Sequence, residues 1–154
     1  MRLKIPTLII CLILLTNCGF KLTDLQNNYY ITEINTIGDK RINYKLKTKL
    51  LSSSKEESKN ILLLNVNTKK EKIIKEKNIR NEITKYEIIV TTDIEFKKLS
   101  DNKFNKFTVI KKGDYSTSSK YSDTLNNEKS LINTLIENLS DEIFENLSIK
   151  LNDF

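Results

Sequence analysis

The sequence predicts an α+β domain of two layers: a four-stranded, mostly antiparallel sheet with two helices on one face. Three observations lead there. Tyr86 to Phe96 alternates apolar and polar residues with period two, the mark of a half-buried antiparallel strand. Leu131, Leu135, Leu139, Ile143, Leu147 and Leu151 recur every four residues, the mark of an amphipathic helix. The remaining apolar segments are short and separated by turn residues, so the order reads strand, helix, strand, strand, strand, helix. Helices gathered on one face of such a sheet make a stable two-layer arrangement.

Tyr29 to Thr36 is aromatic and β-branched and reads as a strand. Gly38-Asp39 ends it, with Asp39 placed to cap a helix. Ile42, Leu46 and Leu50 then form one apolar stripe on a short helix. Ser52 to Asn60 is a polar loop, and Ile61 to Val66 is an apolar strand. The chain next turns strongly basic: Lys69, Lys70, Lys72, Lys75, Lys77 and Arg80 fall within twelve residues. On the following strand Tyr86, Ile88, Val90, Thr92, Ile94 and Phe96 share a face, opposite Glu87, Thr91, Asp93, Glu95 and Lys97. Ser100-Asp101-Asn102 is a turn, and Phe104 to Lys112 is the returning strand. Residues 113–126 are polar. The closing helix is expected from about Asn127 to Leu151, capped by Asn126 or Asn127, with Glu128 near the positive end of its dipole.

The N-terminus has a different character. Arg2 and Lys4 precede an apolar run from Ile5 to Leu15 broken only by Pro6 and Thr7. That is the layout of a secretory signal, too short to span a bilayer as a helix. Leu15-Thr16-Asn17-Cys18-Gly19 follows, and it resembles the lipobox of bacterial lipoproteins; Asn17 stands where that pattern usually has Gly, Ala or Ser. The resemblance implies cleavage before Cys18 and a lipid on its thiol. The expected organisation is therefore a signal peptide over 1–17, a lipidated tether over 18–28 and one α+β domain over 29–154. Removal of residues 1–17 takes Cys11, Arg2 and Lys4 with it, leaving 137 residues, a formal charge of +4 and no cysteine besides Cys18. Two or more acyl chains give the stable anchoring that one chain does not.

Composition excludes much chemistry. The chain has no His, so Ser–His and Cys–His nucleophile pairs and His-based zinc sites are absent. With three Gly in all, a glycine-rich phosphate loop cannot be built. Asp93 and Glu95 share a strand face, which is the ordinary pattern of a solvated side. No catalytic residue, metal site or cofactor is expected beyond the covalent lipid on Cys18. The basic excess favours anionic partners. An exported chain rarely meets nucleic acid, so no nucleic-acid partner is expected.

The opening Cys18-Gly19-Phe20-Lys21-Leu22, Ile79-Arg80-Asn81 before Tyr86, and Tyr121 and Glu128 with the long closing helix together resemble the LPS-assembly lipoprotein family (LptE/RlpB). The resemblance spans nearly the whole chain after Cys18. It implies a lipid-anchored protein on the periplasmic side of the outer membrane of a Gram-negative bacterium. Members plug the large β-barrel LPS translocon, help it assemble, bind LPS and have no enzymatic activity. Gly19 fits that address, since Asp there would retain an enterobacterial lipoprotein at the inner membrane. The same resemblance points to a mobile basic hairpin as the LPS contact, with Arg80 first and then Lys77 and Lys75. Lys111 and Lys112 are a weaker second candidate. The alternative is a periplasm-facing lipoprotein that binds another anionic lipid or ligand without a barrel partner.

Overall fold

The computed structural model describes residues 29–56, 58–100 and 104–152. The expected signal peptide at 1–17, the expected lipid site Cys18 and the expected tether through residue 28 lie outside the described residues. The elements follow the expected order: β1 (Tyr30–Gly38), α1 (Lys40–Ser52), β2 (Ile61–Lys77), β3 (Ile83–Lys98), β4 (Phe104–Ser116) and α2 (Tyr121–Asn152). The strands form one sheet in the order β1-β2-β3-β4. β1 runs parallel to β2, with α1 as the crossover, and the other two pairs are antiparallel. Both helices lie on one side. α1 packs on β1 and β2, α2 packs on β4, and the helices touch each other.

The core forms between sheet and helices because every element turns an apolar side inward. Leu62, Leu64 and Val66 of β2 and Ile88, Val90, Ile94 and Phe96 of β3 are buried at every second position. In β1 the buried pair is Ile31 and Ile34, and a bulge between Ile31 and Glu33 supplies the extra residue. α1 contributes Ile42, Leu46 and Leu50, and α2 contributes the predicted stripe from Ile132 to Leu151. Each such side chain contributes about 1.5–3 kcal/mol when fully removed from water. Gly113 lets α2 come close to β4: a Cβ there would lie 2.7 Å from Leu131 Cδ1.

The β1–α1 corner is built as predicted. Asp39 Oδ1 accepts hydrogen bonds from the backbone N–H groups of Arg41 and Ile42, both at 3.0 Å. Asn43, buried on α1, donates to the Ile37 carbonyl oxygen at 3.0 Å and accepts from the Thr68 hydroxyl at 2.7 Å. These bonds tie the start of α1 to the ends of two strands.

Three boundaries differ from expectation. β2 continues to Lys77 instead of ending near Val66, and β4 continues to Ser116. The helix α2 begins at Tyr121, so neither Asn126 nor Asn127 is its cap, and Glu128 lies two turns inside it. Its first turn carries Asp123, and the Lys120 carbonyl accepts from Asp123 N and Thr124 N. The outer part of β2 and the first turn of α2 carry exposed residues, so no apolar periodicity records them. In the β4 extension the buried Tyr115 follows Gly113 and Asp114 with no repeating apolar pattern.

Candidate functional site

The basic stretch forms the outer part of a long β2–β3 hairpin. Paired residues run from Leu62↔Lys98 to Lys77↔Ile83, so the cations at 69–77 belong to a hydrogen-bonded ladder and not to a loop. At the apex the Asn78 N–H donates to the Glu82 carbonyl and the Asn81 N–H donates to the Asn78 carbonyl, each at 2.9 Å. Asn78 Oδ1 accepts from Arg80 N at 2.9 Å and Glu82 N at 3.0 Å, and its amide donates to the Glu82 carboxylate at 2.7 Å. Asn81 has φ of 64°, a left-handed conformation that Asn tolerates better than most residues with a side chain.

The three expected LPS contacts end up in different settings. Arg80 sits in the apex turn, exposed, and its guanidinium has no hydrogen-bond or ion-pair partner among the described residues. Among the described residues Lys77 donates only to the neutral side-chain oxygen of Asn81, at 3.0 Å. Lys75 lies further down on the sheet face away from the helices, where it pairs with Glu87 at 3.3 Å and also with Asp114. The bond to Asp114, ahead of that to Glu87, raises the Lys75 pKa above its ordinary value although burial opposes it. Arg80 and Lys77 are therefore open to an anion, and Lys75 is already neutralised. The second candidate divides too. Lys111 faces α2 and pairs with Glu142, whereas Lys112 lies on the open face.

A cluster at the base of this hairpin was not expected. Lys72 Nζ lies 2.7 Å from Glu128 and above the rings of Tyr86 and Tyr115, at 4.3 and 5.3 Å. The two rings stack at 5.6 Å, and the Tyr115 hydroxyl donates to Glu128 at 2.8 Å. β2, β3, β4 and α2 meet here, so the cluster braces the hairpin against the helix. Counting by twos from Leu62 through Leu64, Val66 and Thr68 puts Lys70 and Lys72 on the helix face. That signal appears only once β2 is known to continue. Lys70 uses the same face to reach Asp39 at 3.4 Å.

The brace depends on pH. Burial pushes the Glu128 carboxyl up, but bonds from Lys72 and Tyr115 and the charges of Lys72 and Lys70 outweigh it and hold the pKa below 4.5. Such a group stabilises the fold above its unfolded pKa, and the contribution disappears as pH falls through the folded value. Lys72 works in the opposite sense. Burial lowers its pKa, but Glu128 and Tyr115 raise it above 10.5, so its contribution is lost only at strongly alkaline pH. We expect Glu128→Gln to cost about 1–2 kcal/mol at neutral pH, reduced by solvent screening because Lys72 is 39% exposed. The gap from wild type should close as pH falls below 4.5. A pH-independent gap in urea unfolding would contradict the assignment.

The open sheet face carries a polar row across all four strands. Asn35 donates to Asn65 at 3.3 Å, Asn65 donates to Glu95 at 3.1 Å, and Glu95 pairs with Lys106 at 3.0 Å. With Asn67, Asp93 and Thr108 these residues line an open groove of about 810 Å³. Among the described residues no group of three or more acidic, His or Cys side chains could hold a metal ion. No helix among them is long and apolar enough to cross a membrane.

No protein-family model matches the sequence, and no curated protein is similar to it in sequence. Solved structures are similar in fold. Rare lipoprotein B from Shewanella oneidensis superimposes with a TM-score of 0.60 at 14% identity, over 78% of this chain and 97% of that one. A putative lipoprotein from Caulobacter crescentus gives 0.60 at 10% identity, over 84% and 93%. Lipoprotein B from Nitrosomonas europaea gives 0.54 at 15% identity, over 87% and 93%. A four-stranded sheet with two helices on one side is thus the fold this chain shares with lipoproteins of the rare lipoprotein B type from Gram-negative bacteria.

Proposed function

We propose that the protein is a lipoprotein of the outer membrane, held on its periplasmic side by lipid on Cys18. It plugs and helps assemble the β-barrel LPS translocon, and it binds LPS through the tip of the β2–β3 hairpin. The observation that carries this reading is the pair of available cations at that tip, Arg80 and Lys77, on a rare lipoprotein B fold. The role is one of binding and assembly, without catalysis.

The hairpin suits the phosphates of LPS. A guanidinium can pair with a phosphate bidentately, and that of Arg80 has no partner among the described residues to give up. Lys77 would exchange one neutral acceptor for a charged one. Lys75 would have to leave both Glu87 and Asp114, so its contact is secondary. The alternative, a lipoprotein binding another anionic lipid or ligand without a barrel, uses the same cations. Pull-down from detergent-solubilised outer membrane with mass spectrometry of the partners separates the two. Recovery of a large β-barrel protein is expected, and its absence would leave the alternative.

Arg80→Asp should weaken LPS binding about tenfold, the equivalent of one charge-assisted contact of about 1.5 kcal/mol. Its unfolding curve and its association with the barrel should stay as in wild type, because the Arg80 side chain has no partner among the described residues. LPS titration of both proteins provides the comparison, and equal affinities would sink the assignment.

A further inference from the structure

The apex turn has polar residues at Asn78, Asn81 and Glu82, each held by hydrogen bonds of the turn. Ile79 breaks that pattern, since its side chain is fully exposed. Ile73 and Ile74, lower on β2, are about half exposed on opposite faces of the sheet. One exposed apolar side chain on a surface carries no meaning by itself. Its surroundings supply the meaning here. Among the described residues the Arg80 guanidinium has no partner and Lys77 has only a neutral one, while the neighbouring carboxylates are occupied: Glu76 by Lys85 at 3.0 Å and Glu82 by Asn78. Residues 69–85 hold seven Lys or Arg against three Glu.

An apolar apex flanked by available cations complements a layer of negative headgroups lying over hydrocarbon. We propose that the hairpin apex docks on an anionic lipid bilayer, with Ile79 entering the acyl region and Lys77 and Arg80 meeting headgroup phosphates. This deepens the proposed LPS contact and rests on the same tip, but it requires lipid in a bilayer and no barrel. A soluble polyanion would engage the cations and leave Ile79 in water.

The chain contains no Trp, so Ile79→Trp places a single reporter at the apex. The full chain carrying it is reconstituted into vesicles of phosphatidylcholine alone or with phosphatidylglycerol, and each set is repeated with brominated acyl chains. With anionic vesicles the emission should move to shorter wavelength, and brominated lipid should quench most of it. Both effects should be lost with pure phosphatidylcholine, at high salt, or when Lys77→Gln and Arg80→Gln are added. Tyr44→Trp, at an exposed site on α1, serves as the control and should show neither effect. A water-like, unquenched emission on anionic vesicles overturns the proposal, as does an equal response from the control. The two readings fail separately. Intact LPS binding with no Trp response removes only the bilayer contact, and a Trp response with no barrel recovered removes only the plug.

Discussion

Replacing Gly38 with Ala is expected to cost more than about 3 kcal/mol, enough to unfold a large share of a marginally stable domain. Gly38 has φ of +104°, where an L side chain is strained by about 1–3 kcal/mol. Space compounds the strain, because an added Cβ would sit 1.8 Å from the Thr68 carbonyl oxygen. That oxygen belongs to the backbone of β2 and accepts from Asp39 N at 3.3 Å, so it cannot move without opening the parallel β1–β2 pair. Relief would also pull Asp39 from its capping position. Urea unfolding provides the measurement, with the midpoint falling and the slope unchanged. A loss under about 1 kcal/mol would mean that the corner relaxes without harm.

Truncation of Leu139 to Ala should cost about 2–5 kcal/mol. Leu139 lies in the middle of the α2 stripe and has no exposed surface. Its removal subtracts the transfer free energy of the lost atoms and leaves a cavity that close-packed neighbours fill only in part. Leu51→Ala is the matched control. Leu51 is 41% exposed on α1, so its loss should stay within roughly 1 kcal/mol. Similar losses at the two positions would show that α2 does not pack as described.

Where burial recurs with a regular period, the sequence was legible. The buried face of β3 at Ile88, Val90, Thr92, Ile94 and Phe96 is the one its alternation predicts. The α2 stripe and the Asp39 cap also stand where spacing and residue type put them. The candidate site was legible only in part. The family resemblance put Arg80 first and then Lys77 and Lys75, but nothing in the sequence shows that Lys75 is already paired. That pairing depends on Glu87 and Asp114, which come from two other strands.

What the sequence determined by itself is the two-layer α+β class, the inward faces of its strands and helices, and the chemistry excluded by the lack of His. Burial imposes a period on a chain, and a period can be read in one dimension. Only the tertiary structure decided that β1 pairs parallel to β2, that β2 continues through Lys77, and that Lys72 joins Tyr86, Tyr115 and Glu128. The outer half of the hairpin is exposed and held by backbone hydrogen bonds, which leave no hydrophobic pattern. The brace unites residues as much as 56 positions apart, and such a contact exists only once the sheet and α2 have come together.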